Sequence, residues 1–478
     1  MKKTLFVVFA LCFLSISSSL AWGEELDEPV DQETIEVEVL DLETAQGMAL
    51  QGNPSIGAAG ARIEQAKARV EQAMAANLPS VDVVGSVGMA RYADATYDNL
   101  AAAQSDVDQV YEQASLGLQA TWLLFDGYAR KFRQEQAEYG EDASEADRLN
   151  NQRLLLAAVA DAFFNAQLAQ ASLEIAEADQ KFYEQQLQDA EYRFEAGAGS
   201  KGDVLNIQVQ LNAGKGGVIN GKHNYEAARY GLAALLGLEN AQLAESMHLA
   251  KLDKECNLAD EPLAEEELIK EAMATRPDIK QLAMQLHAAE AGIGQAKAKD
   301  WPIVQLAGSV NGNTKEELFP AGEDFSGSLA LNFSWNLYSG GATKAAQTEA
   351  RQAKREVAYT LANLRNSIAA EVRQDITLLS AAREQVRLQR ESVGLVEENR
   401  DLAKSEYEAG SASLVRLNEA QRDLTATHGR LASAVASYHQ AKHRLLSAVG
   451  RNLEPFVDLL EVDLPDPEVE EEDKEQED

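Results

Sequence analysis

Most of this chain occurs twice. Residues 122–237 come back as residues 335–450, an ungapped offset of 213 positions. Trp122-Leu123-Leu124-Phe125-Asp126-Gly127 corresponds to Trp335-Asn336-Leu337-Tyr338-Ser339-Gly340, Glu195-Ala196-Gly197 to Glu408-Ala409-Gly410, and Leu236-Gly237 to Val449-Gly450. Upstream the offset is 223, pairing Pro54 with Pro277 and Pro79 with Pro302, so the first copy holds ten extra residues between Pro79 and Trp122. Insertions of that kind fall in loops. A duplicated unit implies two copies of one supersecondary piece packed about a pseudo-symmetry axis.

Lys2 and Lys3 precede an apolar run over residues 5–14, followed by Ser19-Leu20-Ala21 or Ala21-Trp22-Gly23 as a cleavage pattern. Residues 1–23 therefore read as a secretory signal, with an acidic extension at 24–36. The run is shorter than the roughly 20 residues a spanning helix needs. Cys12 lies inside it rather than at its end, which argues against a lipid-modified N-terminus, and Cys256 is left without an internal disulfide partner. No later segment has 18 consecutive apolar residues, so the chain is expected either to be soluble outside the cytoplasm or to cross a membrane as strands. A formal charge of −35 excludes nucleic acid as a natural partner. Residues 451–478 are expected to form an acidic, disordered tail, 11 of the last 18 residues being acidic.

Two segments are far too helical and too long for an ordinary globule. Residues 128–195 and 341–408 lack proline, are dense in Ala, Leu, Glu, Gln and Arg, and span 68 positions each. At 1.5 Å per residue each makes a rod of roughly 100 Å. In the second, Val357, Leu361, Leu364, Ile368, Val372, Leu379, Val386 and Val393 follow steps of three, four and seven and share one stripe. A glycine-bearing turn follows each rod, Gly197-Ala198-Gly199-Ser200 and Gly410-Ser411-Ala412-Ser413. Glycine ends the first helix and serine caps the next, so both read as helical hairpin tips, with return helices over 200–236 and 413–449. Shorter helices are expected at 55–77 and 264–299.

After Pro79 and Pro302 the period changes to two. Strands are expected over about 80–90, 115–125, 303–311 and 327–337, the last alternating Leu329, Leu331, Phe333, Trp335 and Leu337 with Ser328, Ala330, Asn332, Ser334 and Asn336. Four strands of about ten residues suit an outer-membrane crossing, and a soluble sandwich would alternate in the same way. The rest of the architecture separates the two. Four strands cannot close in lipid, where open edges leave backbone groups unsatisfied, so several chains must each donate four. Three chains make 12 strands above 12 helical pieces. The fold class is thus mainly α with a β-barrel portion, and Trp122, Trp335 and Phe333 are its candidate membrane anchors.

The order of these marks resembles the TolC-like outer membrane efflux protein family, from about Val37 to Gly450. They are Asn53-Pro54, Leu78-Pro79-Ser80, Leu124-Phe125-Asp126-Gly127, Tyr192-Arg193-Phe194-Glu195-Ala196-Gly197 with Ser200 and Asp203-Val204-Leu205, and Leu235-Leu236-Gly237. The resemblance implies repeats over 37–237 and 263–450 joined by an equatorial linker at 238–262. It implies a homotrimer with a 12-stranded outer-membrane barrel, a periplasmic helical tunnel, a periplasmic membrane-fusion adaptor and an inner-membrane pump as partners, and no cofactor. Gly197, Ser200, Gly410 and Ser413 would mark the tips that meet the adaptor. By position Asp203 matches the family's first-repeat gate aspartate, whereas the two acidic-ring positions of the second repeat are Arg416 and Glu419, and the tethering arginine is Ala412. Arg416 could pair with Asp203 or Glu419 to hold the tip closed.

No Ser/His/Asp set, phosphate loop or Cys-x-x-Cys appears, so no enzyme is expected. His439 and His443 stand four apart with no third ligand, which reads as a solvated helix face rather than a metal site. Asp94 and Asp98 fall in the longer hairpin loop, 91–114, expected outside the cell. The expected function is a trimeric exit duct for small molecules. The rivals are the outer-membrane channel of a type I protein secretion system and a soluble periplasmic coiled-coil scaffold.

Overall fold

A computed structural model describes residues 39–103, 108–244, 246–258, 264–315, 320 and 324–460. The signal at 1–23, the extension at 24–36 and the acidic tail from 461 lie outside the described residues.

The duplication is exact in helix length. Helix α1 (Leu42–Gly52) and α6 (Glu265–Thr275) have 11 residues each, α2 (Pro54–Ala75) and α7 (Pro277–Ala298) have 22, α4 (Ala129–Glu195) and α8 (Ala342–Glu408) have 67, and α5 (Lys201–Leu236) and α9 (Leu414–Val449) have 36. Local chemistry sets the breaks. Asp41 Oδ1 accepts from Thr44 N at 2.8 Å to start α1, and Asn53 Oδ1 accepts from Ser55 N at 2.9 Å to start α2, whose first residue is proline. Proline at the same place opens α7.

Strands β1 (Ser80–Arg91), β2 (Val110–Phe125), β3 (Ile303–Lys315) and β4 (Phe325–Ser334) form one antiparallel sheet in that order. The β2–β3 pairing, with Trp122 opposite Leu306, joins the two repeats. Among the described residues neither face of this sheet is covered by a helix or a second sheet: β4 is exposed along its whole length, and Val81 and Leu329 keep 68% and 77% of their surface. Its outer strands, β1 and β4, have no further neighbour among the described residues.

Several bounds differ from the sequence expectation. Strand β2 starts at Val110, because pairing continues to Arg91 opposite Val110 even where alternation is lost. Strand β3 runs on to Lys315, opposite Gln113. Strand β4 stops at Ser334, opposite Ile303, because Pro302 has no N–H to continue the ladder, and Trp335 and Leu337 lie beyond it. The loop after β1 contains α3 (Asp94–Ala103), a helix with no buried residue and so no apolar stripe to read. The stretch expected to begin the acidic tail is folded: Arg451–Phe456 is a 3₁₀ turn and α10 (Val457–Leu460) follows, with Phe456 buried against Leu50 and Leu156.

The two larger of the apolar clusters among the described residues hold the helices. In one, Ile368, Val372, Leu379 and Val386 of α8 meet Leu431, Val435 and Tyr438 of α9, with Leu252 and Cys256 of the linker. In the other, Val159 and Phe163 of α4 meet Leu232 and Leu236 of α5, with Leu243 and Leu249 of the linker. The connecting segment thus seals both repeats. Helix α4 is the one helix among the described residues with a window long and apolar enough to cross a membrane, and half of that window is buried inside the fold.

Candidate functional site

The two hairpin tips are built alike. Gly197 (φ 76°) and Gly410 (φ 75°) take the left-handed conformation that lets the chain reverse after α4 and α8. Ala198 N returns to the Arg193 carbonyl at 2.8 Å, and Ser411 N to the Glu406 carbonyl at 2.9 Å. Ser200 Oγ then accepts from Asp203 N at 3.0 Å and Ser413 Oγ from Arg416 N at 3.4 Å, starting α5 and α9.

Charge distinguishes them. Arg416 meets Glu406 within its own hairpin at 3.5 Å. It pairs with neither Asp203 nor Glu419, the partners considered from sequence. The equivalents of Glu406 and Arg416 in the first repeat are Arg193 and Asp203, so the same two helical positions carry the opposite signs. Arg193 lies over the Tyr407 ring at 5.2 Å and thereby links the first tip to the second. Burial raises the Tyr407 hydroxyl above its ordinary pKa; Asp203 and Asp189 add to this while Arg193 opposes it. Arg416 and Glu419 are exposed, and Asp203 is half-buried.

Above the tips the repeats are cross-bolted. Gln421 Nε2 and Thr425 Oγ1 of α9 both donate to Asp179 Oδ1 of α4 at 2.9 Å, and Asn418 Nδ2 donates to Asn206 Oδ1 at 3.3 Å. Leu414 enters an apolar cluster with Tyr183, Ala190, Ile207 and Leu211 of the first hairpin. Burial, reinforced by Asp179, pushes the Tyr183 hydroxyl up to about 12.

At the opposite end of the long helices, Trp122 Nε1 donates to the Asn77 carbonyl and Trp335 Nε1 to the Asp300 carbonyl, both at 3.0 Å. Each indole thus clamps a strand end to the exit of a short helix, with its ring exposed. Phe333, also exposed, lies one residue before the end of β4.

A family model described as outer membrane efflux protein matches residues 46–238 and again 268–451. The chain belongs to the outer membrane efflux protein family. Among its relatives, outer membrane protein TolC of Vibrio cholerae is 22% identical over 455 residues, covering 94% of this chain and 95% of that one. The alkaline protease secretion protein AprF of Pseudomonas aeruginosa is 27% identical over 320 residues, covering 62% of this chain and 64% of that one. The solved structure of the Campylobacter jejuni CmeC outer membrane channel superposes with a TM-score of 0.72 at 17% identity, covering 88% of this chain and 89% of that one.

As an outer membrane efflux protein the chain is a transport channel component of the outer membrane with a periplasmic extension, in a family of channels rather than enzymes. Among the described residues no group of three or more His, Cys, Asp and Glu side chains could hold a metal ion. His439 and His443 are not on a solvated face. The His439 ring stacks on Phe164 of α4 at 4.9 Å and the His443 ring lies tilted against it at 5.5 Å, and burial lowers the pKa of both, His443 to about 4. The acidic-ring positions do not point to the Glu406 pair; its sequence signal is the charge-reversed match of Glu406 and Arg416 to Arg193 and Asp203, 213 positions earlier.

Proposed function

We propose that three copies of this chain form an exit duct through the outer membrane, each donating its four strands to a 12-stranded barrel and its helices to a periplasmic tunnel. The observation that carries this is the bare sheet. Among the described residues of a single chain its two faces and two edge strands are uncovered, with Val81, Leu329 and Phe333 exposed. Lipid outside and neighbouring copies at the edges satisfy both needs. On α8, Leu388, Leu395 and Leu402 are exposed at steps of seven, the spacing of an unfilled coiled-coil seam, which supports helical neighbours along the rods as well. A soluble scaffold would have no use for the uncovered apolar sheet.

The duct is closed at the hairpin tips, where Asp203, Arg416 and Glu419 are repeated around the threefold axis, and Gly197, Ser200, Gly410 and Ser413 meet a periplasmic adaptor that couples the duct to an inner-membrane pump. Such repetition multiplies the field of each ring position. Light scattering of the detergent-extracted protein should give the mass of three chains, and planar bilayers should show its conductance. A folded monomer in plain buffer would overturn the reading.

The family description names efflux, which we read as efflux of small molecules, while the name of AprF favours a protein cargo. A deletion strain separates them: drug hypersensitivity with intact protein secretion supports efflux, and loss of a secreted protein supports the second reading.

A further inference from the structure

Where α4, α7 and α8 meet the sheet, the charge of the chain changes sign. Residues 126–135, 290–301 and 339–355 carry nine Lys and Arg against five Asp and Glu, whereas the whole chain has 43 against 78. Between these three helix ends lies a groove of about 580 Å³. Its apolar wall is made by Phe132, Ile293 and Trp301. Gly294 provides the room, since a Cβ there would collide with the Phe132 ring.

Lys297 and Arg351 line the same groove and are exposed. Its one lining carboxylate, Glu290, is held by Lys354 at 2.9 Å. Among the described residues Arg351 Nη2 reaches only Gln347 Oε1, at 3.4 Å, and Lys297 has no ion-pair partner. In a chain this acidic, two cations left without carboxylates beside an indole that is 56% exposed call for an external anion with an apolar portion.

The other repeat does not carry these residues. The positions equivalent to Phe132, Lys297, Trp301 and Arg351 are Ala345, Met74, Leu78 and Glu138. Those four equivalent positions hold neither a cation nor an aromatic ring.

We propose that the groove binds the phosphate headgroup of an anionic phospholipid at the periplasmic face of the outer membrane, its acyl chains lying along the strands. This rests on the strands' crossing that membrane, since the groove begins within two residues of Phe125 and Ile303, where β2 ends and β3 starts. Lys297 and Arg351 supply charge-assisted hydrogen bonds to phosphate, and Trp301 sits where an interfacial indole is stable.

The purified, detergent-solubilised channel is mixed with phosphatidylglycerol or phosphatidylcholine and the retained lipid counted by native mass spectrometry. The wild type should retain phosphatidylglycerol about 25-fold better than the Lys297→Gln/Arg351→Gln variant, while Lys215→Gln/Lys222→Gln, two exposed cations on α5, should match the wild type. Lys297→Met, the residue of the other repeat, is a second variant expected to lose about fivefold. Equal retention by these variants, or complete displacement of the lipid by millimolar inorganic phosphate, overturns the lipid site. Failure of the wild type to insert into bilayers at all overturns the membrane reading instead, so the two failures are distinct.

Discussion

Asn53 is bonded across the fold to Leu235, its Nδ2 donating to that carbonyl at 2.8 Å. In the second repeat Arg276 Nη1 donates to the equivalent carbonyl, Ala448, at 3.0 Å. The residue before each helix-opening proline thus pins the end of each return helix, by an amide in one repeat and a guanidinium in the other. The larger group recruits more. Arg276 is 5% exposed and also binds Asp278 at 2.8 Å and Glu371 at 2.6 Å. Burial alone would lower its pKa, and the two carboxylates hold it above its ordinary value.

Arg276→Ala should therefore cost far more than Asn53→Ala. Losing Arg276 leaves the Asp278 carboxylate and the Ala448 carbonyl short of partners, a cost of about 3 to 5 kcal/mol. Asn53→Ala removes a cap and one hydrogen bond, about 1 to 2 kcal/mol. Thermal unfolding of the detergent-solubilised protein ranks the two.

The charge of Asp375 opposes folding at neutral pH. Burial, with Glu371 beside it, raises its carboxyl from 3.8 to about 6, while Arg444 and Arg276 only partly offset this. Because the folded-state value is the higher one, the folded form holds the proton more tightly. The penalty is absent below about pH 4, grows as pH rises through 6 and is complete above it. Asp375→Asn should stabilise the protein at pH 7.5 by about 1 kcal/mol, discounted because the group is half-buried, and the gain should vanish at pH 4. Melting temperatures at the two pH values check this.

Two glycines with nearly the same φ should respond differently to alanine. Gly237, at φ 75°, lies against the Gly52 carbonyl, and a Cβ there would collide with backbone that has no room to move. Gly197, at φ 76°, faces open space. Gly197→Ala should cost about 1 to 2 kcal/mol of left-handed strain alone, and Gly237→Ala should lose several kcal/mol or fail to assemble. Protease resistance of the extracted protein separates the outcomes.

Breaking the Glu406 pair of Arg416 should loosen the closed tip. An exposed pair contributes about 0.5 to 1 kcal/mol, and three copies acting together move an open–closed equilibrium by roughly tenfold or more. Arg416→Ala should raise bilayer conductance at rest or vancomycin sensitivity by that order, and the swap Glu406→Arg/Arg416→Glu should restore the wild-type level. Equal leakage in wild type and Arg416→Ala would refute the tether.

Much of the fold was legible because it follows from local periodicity. The rods at 128–195 and 341–408 differ by one residue from the helices that form, since Gly197 and Gly410 end them and the runs contain no proline. Strand ends were less legible. Whether Trp335 belongs to β4 depends on Pro302 across the ladder, and nothing beside Trp335 in sequence reports that. The inward-facing His439 and His443 look solvated in sequence because their surroundings come from Phe164, some 280 positions earlier.

From the order of residues alone came the duplication, the rods, the reversing glycines and the resemblance to outer membrane efflux proteins, all of which depend on spacing along one segment. Only the tertiary structure decided which charges meet: Arg416 with Glu406, Arg276 with Asp278 and Glu371, Lys297 and Arg351 around one groove. The reason is physical. A helix or strand is specified by contacts a few residues apart, whereas a charge finds its partner across packed helices, where a shift of one turn, about 5 Å, replaces every neighbour.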